Sequence, residues 1–226
     1  GMGSVYQAEQ KRPKRAVALK VIRPGMASPS TLRRFEHEAT ALAQLKHPGI
    51  AQIFNAGSFS SVTLDGRTIE QPYFAMELVG GKPLDEAGAS LGLPDRVELL
   101  AKVTDAVQHA HQRGVIHRDL KPANILVEDG PARTSPQPKV LDFGVARLTA
   151  TQPSDGGQSA ATAATLAGQL VGTVAYMSPE QIAGNTSEID TRSDVYSLGV
   201  IMYQLIAGRL PYDTTNRSVY QLTQLI

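Results

Sequence analysis

The sequence contains no cysteine among its 226 residues. Disulfides and thiolate metal sites are therefore excluded, and a reducing compartment is allowed. An excess of charge of one sign is also lacking, because 22 basic and 21 acidic residues leave a formal net charge of +1. This balance gives no electrostatic reason to expect nucleic acid or an anionic membrane surface as a partner.

Long hydrophobic runs are missing as well, since no run reaches the roughly 18 consecutive apolar residues of a membrane span. The closest is VYSLGVIMYQLIAG (195–208), which carries Ser197 and Gln204 and predicts a buried core helix. No apolar segment follows the basic cluster near the start, so we predict no signal peptide. We expect no membrane segment in this chain and a cytoplasmic location, with any membrane anchor lying outside it.

Two segments near the start show regular periodicity. RAVALKVI (15–22) alternates and predicts a strand with Lys20 on an apolar face. SPSTLRRFEHEATALAQL (28–45) predicts a helix, on which Glu38 lies nearer the apolar stripe than Glu36. A carboxylate close to a packed face needs a cation, so Glu38 is the better candidate for an ion pair.

Further elements are predicted as strands at 73–79 and 139–144 and as a helix at 95–114. The inward residues of that helix are expected to be Val97, Leu100, Val107 and Ala110. Strands followed by helices indicate an α+β fold, in which a small β-rich lobe precedes a larger helical lobe.

The stretch VIHRDLKPANILV (115–127) places polar residues between two apolar runs that look like short buried strands. Charged side chains are rarely buried unless they are paired or used in function. The residues between the runs include Asp119, Lys121 and Asn124, and we interpret them as an active-site loop held by its flanks. His117 is interpreted as a packed, hydrogen-bonded histidine, and the distant Asp194 as a residue that caps the helix at 195–208 and braces this loop.

Phosphoryl transfer is a chemistry that these residue types can perform, because it needs positioning and charge neutralisation more than covalent catalysis. Lys20, paired with Glu38, could bind the α- and β-phosphates of the donor. Asn124 and Asp142 carry the oxygen ligands that Mg²⁺ prefers. Asp119 could then orient the attacking hydroxyl, with Lys121 beside the γ-phosphate.

The same residues resemble the motifs of a bacterial-type serine/threonine protein kinase domain. AVALK resembles the kinase strand motif V-A-I-K, HRDLKPAN the catalytic loop, DFG (142–144) the metal loop and SPE (178–180) the A-P-E motif. GMGSVY is similar to the end of the Gly-rich loop, and KPAN to the serine/threonine version of the catalytic loop. These motifs follow the family's order along the whole chain, which is expected to be a partial domain truncated at both ends.

The resemblance implies a bilobal fold, with an N-lobe at 1–78, a C-lobe at 79–226 and an activation segment at 142–180. It also implies ATP and Mg²⁺ as cofactors, and transfer of the ATP γ-phosphate to serine or threonine hydroxyls of a protein substrate. Met76 corresponds to the gatekeeper, Glu77 to Val79 form the hinge, and Leu42, His117 and Phe143 stack as a structural spine. The residues implied in ATP binding are Gly3, Val5, Ala18, Lys20, Met76, Glu77, Val79, Asn124 and Asp142.

The low-complexity segment at 149–169 would pass for an interdomain linker if it were taken alone. In a kinase it belongs to the activation loop. A phosphorylated threonine of that loop would then bind Arg118, which immediately precedes Asp119. Thr165 is the first candidate for that phosphorylation and Thr162 the second, and self-association would allow autophosphorylation. Thr173 is expected to line the substrate site instead. The alternative is that this Ala/Thr tract is an unregulated spacer.

Two other functions stay open from the sequence. One is a pseudokinase or scaffold domain. A pseudokinase usually lacks the strand lysine, the catalytic-loop aspartate or the DFG aspartate, but here Lys20, Asp119 and Asp142 are all present, as is Asn124. The other is a kinase-like enzyme that acts on small molecules. The Ser/Thr-rich segment before GTVAYMSPE favours protein substrates over small ones, because in the family that region shapes a peptide site.

Overall fold

The computed structural model describes residues 3–22, 39–62, 66, 68–128, 135–143, 173–185, 187–214, 221–222 and 224–226. Its first half is an antiparallel four-stranded sheet in the order β1-β2-β4-β3. The strands are β1 (Gly3–Lys11), β2 (Lys14–Ile22), β3 (Ile53–Val62) and β4 (Thr68–Glu77). Residues 39–43 are helical and agree with the end of the predicted helix at 28–45, whereas Glu38 lies outside the described residues.

The second part combines a three-stranded sheet with helices, which confirms the predicted α+β class. Its sheet has the order β5-β6-β7, formed by β5 (Lys82–Pro83), β6 (Ile125–Glu128) and β7 (Gln137–Val140). The helices are α1 (Leu84–Ala89), α2 (Leu93–His111), α3 (Pro179–Ile182) and α4 (Thr191–Ala207), with a 3-10 turn at Pro122–Asn124. Of the described helices, none is long and apolar enough to cross a bilayer.

A short seam joins the two sheets, and we define it by Gly49, Ala51 and Val140. The amide of Ala51 donates to the carbonyl of Val140 at 3.0 Å, and the amide of Val140 donates to the carbonyl of Gly49 at 2.8 Å. Ile50, between the first two, forms a parallel β-bridge with Val140 and is buried. The loop before β3 is therefore fixed to the strand that leads to Asp142.

Helix α2 buries one face, but not all of the residues predicted for that face. Leu100, Val107 and Ala110 are buried as expected. Val97 is 50% exposed, so its inward assignment is wrong. Leu99 and Val103 are buried in its place, because the true packed stripe is rotated around the helix axis relative to the predicted one.

Other elements differ from prediction in their extent. The strand predicted at 73–79 begins earlier and ends at Glu77, and the one predicted at 139–144 ends at Val140. Residues 115–116 are not part of a strand. Helix α4 buries Val200, Ile201 and Leu205 but leaves Val195, Met202 and Ile206 exposed, so within the described residues it is a one-faced helix. The lobe boundary at 78/79 stays a prediction.

Candidate active site

The carboxylate of Asp119 is held by two neighbours from its own loop. Lys121 Nζ donates to Asp119 Oδ1 at 3.1 Å and to Oδ2 at 3.0 Å. Asn124 Nδ2 donates to the same Oδ2 at 3.0 Å and to the backbone carbonyl of Asp119 at 2.7 Å. Because two donors converge on one half-buried carboxylate, its orientation is set before any substrate arrives.

Asn124 and Asp142 are adjacent in space, as a shared cation site would require. The amide of Leu141 donates to the backbone carbonyl of Asn124 at 2.8 Å, which brings the next residue, Asp142, beside the 3-10 turn. The side-chain nitrogen of Asn124 is engaged by Asp119, so its amide oxygen is the atom left for a cation. Among the described residues no group of three or more His, Cys, Asp or Glu side chains is placed so that it could hold a metal ion. The set fits Mg²⁺, which commonly takes few protein ligands.

Lys20 reaches from β2 to Asp142, with 2.7 Å between its Nζ and Asp142 Oδ2. The lysine is only 7% exposed, so its charge is largely removed from water and needs such a partner. Asp142 has a φ of 61°, a left-handed conformation that is uncommon outside glycine and clusters at functional sites. The predicted partner, Glu38, lies outside the described residues, so the Lys20–Glu38 pair stays a prediction.

Asp194 braces the catalytic loop from α4, as predicted from the sequence. Its Oδ1 accepts from the backbone amide of Arg118 at 2.8 Å, and its Oδ2 accepts from the amide of His117 at 2.8 Å. His111 Nε2 lies 2.7 Å from the same Oδ2. The predicted capping role is wrong, because Asp190 is the N-cap of α4 and accepts from the amide of Arg192.

His117 is a fully buried histidine with both ring nitrogens in use, which confirms the structural interpretation. Its Nε2 lies 2.7 Å from the carbonyl of Leu141, and its Nδ1 accepts from the amide of Asp119 at 3.2 Å. The ring centroids of His117 and Phe143 are 4.7 Å apart. Phe143 also lines a small cavity together with Leu42. The contact between His117 and Phe143 agrees with the predicted stack, and the place of Leu42 in it stays a prediction.

Residues 1–225 match the family model described as the protein kinase domain. The chain belongs to the protein kinase family. It is 41% identical to the serine/threonine-protein kinase pkn3 of Myxococcus xanthus over 95% of this chain and 37% of that protein. It is 37% identical to PknA of Mycobacterium tuberculosis over 94% of this chain and 45% of that protein. It is 39% identical to PknB of Mycolicibacterium smegmatis over 94% of this chain and 31% of that protein. The chain thus spans less than half the length of these relatives.

The residues predicted for ATP binding in the N-lobe of this kinase domain lie on neighbouring strands. Val5 is opposite Lys20 across β1 and β2, and Ala18 is opposite Met76 across β2 and β4. Gly3 faces Ile22 so closely that a Cβ would lie 2.1 Å from the carbonyl oxygen of Val21, which explains glycine at that position. Glu77 ends β4, and Val79 lies two residues later, outside the strand; their role as a hinge stays a prediction. Their contacts with a nucleotide stay predictions.

The predicted activation segment at 142–180 is described only at its ends. Thr173 accepts a hydrogen bond from Lys121 Nζ at 3.1 Å, so it lies beside the catalytic loop, as predicted for a residue of the substrate site. Thr162 and Thr165 lie outside the described residues, and their phosphorylation stays a prediction. Farther along, the side chain of Ser193 donates to Glu180, and this hydrogen bond holds the pKa of Glu180 below its ordinary value.

Sequence reasoning missed two contacts of this site. Gln181 Nε2 donates to the carbonyl of Arg118 at 2.7 Å and connects the SPE motif to the catalytic loop. Lys139 Nζ lies 2.6 Å from Glu77 Oε1 and connects β7 to the hinge. The signal for the second contact was a lysine in the apolar run before DFG, but a lone strand lysine does not reveal which carboxylate it meets.

Proposed function

We propose that this domain transfers the γ-phosphate of ATP to serine or threonine hydroxyls of protein substrates. The observation that carries the proposal is the convergence of two charge pairs at one place. Asp119 is oriented by Lys121 and Asn124, and Asp142 meets the buried Lys20. One buried cation, two carboxylates and an amide oxygen form the donor set that a magnesium nucleotide and a hydroxyl nucleophile require.

Each residue would have a distinct role in the reaction. Lys20 would bind the α- and β-phosphates, and Asn124 and Asp142 would hold Mg²⁺, which neutralises phosphate charge when it is bound. Asp119 would accept a hydrogen bond from the substrate hydroxyl and take its proton as the hydroxyl oxygen bonds to the γ-phosphorus, while the bond to the β–γ bridging oxygen breaks and ADP leaves. Lys121, which contacts both Asp119 and Thr173, would lie beside the γ-phosphate and bind its charge.

Protein substrates are favoured over small molecules by two observations. The relatives named above are serine/threonine-protein kinases. In addition, Lys121 joins the catalytic loop to Thr173, at the end of the segment that would shape a peptide site. A pseudokinase function is disfavoured because every charged residue that the chemistry needs is present. Self-association for autophosphorylation and a cytoplasmic location remain predictions.

The test is transfer of ³²P from γ-labelled ATP to a generic basic protein in the presence of Mg²⁺. The full-length protein should label the acceptor, and Asp119→Asn should abolish labelling while keeping ATP affinity. Asp95→Asn, which changes an exposed aspartate in the first turn of α2, is the matched control and should label normally. Absence of labelling in the parent, with ATP bound, would support a pseudokinase.

A further inference from the structure

An ion pair between Glu77 and Lys139 crosses from one sheet to the other. Glu77 is the last residue of β4 in the four-stranded sheet, and Lys139 lies in β7 of the three-stranded sheet. Their side chains are 29% and 14% exposed, and 2.6 Å separates Lys139 Nζ from Glu77 Oε1. Exposed surface pairs contribute little, but a pair that is largely shielded from water is screened less.

Gln52 holds the other oxygen of the same carboxylate. The amide of Gln52 donates to Glu77 Oε2 at 3.1 Å, and the amide of Glu77 donates to the carbonyl of Gln52 at 2.8 Å. The side chain of Gln52 donates to the carbonyls of Ala43 and Ile53, each at 3.0 Å. Glu77 is thus fixed by two groups from different segments, and one of them extends to the end of the helical residues 39–43.

The pair lies next to contacts that define the active site. Lys139 precedes Val140, whose backbone forms the seam with Gly49 and Ala51. Two residues after Val140 comes Asp142, the partner of Lys20. On the other side, Glu77 is the first residue of the predicted hinge, which runs from Glu77 to Val79. Rotation of one sheet relative to the other about the hinge would separate Lys139 from Glu77.

We propose that Lys139 is a positioning residue which, through Glu77, fixes the hinge relative to the strand that presents Asp142. The inference rests on the proposed function, because it concerns how nucleotide is held in the same cleft. Lys139 acts through Glu77, and no direct contact with ATP is required of it. Loss of the pair should loosen the geometry between the hinge and Asp142 and weaken nucleotide binding more than it slows the chemical step.

The test measures the Kd for Mg²⁺-ADP by calorimetry, together with KM for ATP and kcat, in the full-length protein. Lys139→Met and Glu77→Gln should each raise the Kd about threefold or more, and KM should rise more than kcat falls. The Lys139→Met/Glu77→Gln double variant should bind ADP no more weakly than whichever single variant binds it more weakly. The reason is that each single change already removes the same ion pair. Lys14→Met is the matched control: the exposed Lys14 lies 3.9 Å from Glu9 in the β1–β2 hairpin, away from β7 and the hinge, and its loss should leave the Kd within about twofold.

A second measurement separates positioning from general stability. The charge exchange Glu77→Lys/Lys139→Glu should bind ADP more tightly than either of its single changes, because it restores an ion pair. Unchanged or tighter ADP binding in both Lys139→Met and Glu77→Gln would overturn the inference. It would also be overturned if the fold-increase in Kd of the double variant equalled the product of the fold-increases of the two single variants. If Lys139→Met does not fold, Glu77→Gln, which keeps the side-chain shape, decides the result.

Failure of this inference differs from failure of the proposed function. A parent protein that transfers phosphate, with all variants binding ADP equally, overturns only the role of Lys139. A parent that binds ADP but transfers no phosphate overturns the proposed function, and the coupling between Glu77 and Lys139 is still decided by the ADP affinities.

Discussion

Asp194 accepts a hydrogen bond from the backbone amide of Arg118, which is 76 residues earlier in the chain, at 2.8 Å. Arg118 has a φ of 69°, a conformation that costs a residue with a Cβ about 1 kcal/mol or more. The buried carboxylate offsets this cost by binding the amides of both His117 and Arg118. The shape of the catalytic loop therefore depends on a residue in α4.

Removal of Asp194 should destabilise both the fold and the catalytic loop. Asp194→Ala leaves the buried amide of His117, the partly buried amide of Arg118 and the ring of His111 without their acceptor, so the free energy of unfolding should fall by about 3 kcal/mol. Denaturant unfolding measures this loss, and phosphoryl transfer should fall with it. The control, Asp190→Ala, removes the N-cap of the same helix and should lose about 1 kcal/mol without loss of transfer. Equal effects of the two variants would contradict the bracing role.

The two site aspartates should fail in different ways. Asp119→Asn should abolish transfer with little change in Mg²⁺-ATP affinity, because Asp119 orients the hydroxyl. Asp142→Asn should abolish transfer and also weaken Mg²⁺-ATP binding, because it removes a charged ligand and the partner of Lys20. Transfer rates and calorimetric affinities measure the two effects. Activity within about tenfold of the parent in either variant would contradict the assignment.

Lys20 should pair with Glu38 in the nucleotide-bound state. Glu38 lies nearer the apolar stripe of its predicted helix than Glu36, so the two provide a matched comparison. Glu38→Gln should lower kcat/KM by about tenfold or more, and Glu36→Gln should change it little. A structure with ATP and Mg²⁺ bound in which the Lys20 and Glu38 side chains stay more than about 4 Å apart would contradict the prediction.

Thr165 and Thr162 should be phosphorylated after incubation with Mg²⁺-ATP. The segment around them carries one acid, Asp155, and no basic residue between Leu148 and Val171, so phosphate would supply the anion that Arg118 can bind. Mass spectrometry should detect phosphate within residues 149–172, and Thr162→Ala/Thr165→Ala should lower activity. Thr149→Ala/Thr151→Ala is the control from the same segment. Absence of phosphate within residues 149–172, or full activity of Thr162→Ala/Thr165→Ala, would favour the alternative that this segment is an unregulated spacer.

Stability should depend on pH through Glu180. The hydrogen bond from Ser193 lowers the pKa of Glu180, so this group favours the folded state above its unfolded pKa of about 4.3. That contribution is lost as the pH falls through the lowered folded pKa. Ser193→Ala should therefore cost about 1 kcal/mol at neutral pH, and the difference from the parent should shrink in acid. Ser90→Ala, which changes an exposed hydroxyl, should show no such pH-dependent difference.

The sequence by itself determined the fold class of this protein, and it contains the motifs on which the proposed chemistry rests. The lysine strand, the loop at 117–124 and the DFG aspartate are local patterns whose residue types predict phosphate, metal and hydroxyl recognition. Strand periodicity also located β2, because alternation along an extended chain directly assigns its two faces. Helical periodicity likewise assigned Leu100, Val107 and Ala110 correctly to the buried face of α2.

Only the tertiary structure decided which side chains meet. The bond from Asp194 to Arg118, the pair of Lys20 with Asp142 and the pair of Glu77 with Lys139 all join residues far apart in sequence. Ion-pair partners depend on how sheets and helices pack, and nothing in the local pattern around a charge records that packing. Val97 shows the same limit on a helix, because a modest rotation of the packed stripe exposes a residue that periodicity alone places inside.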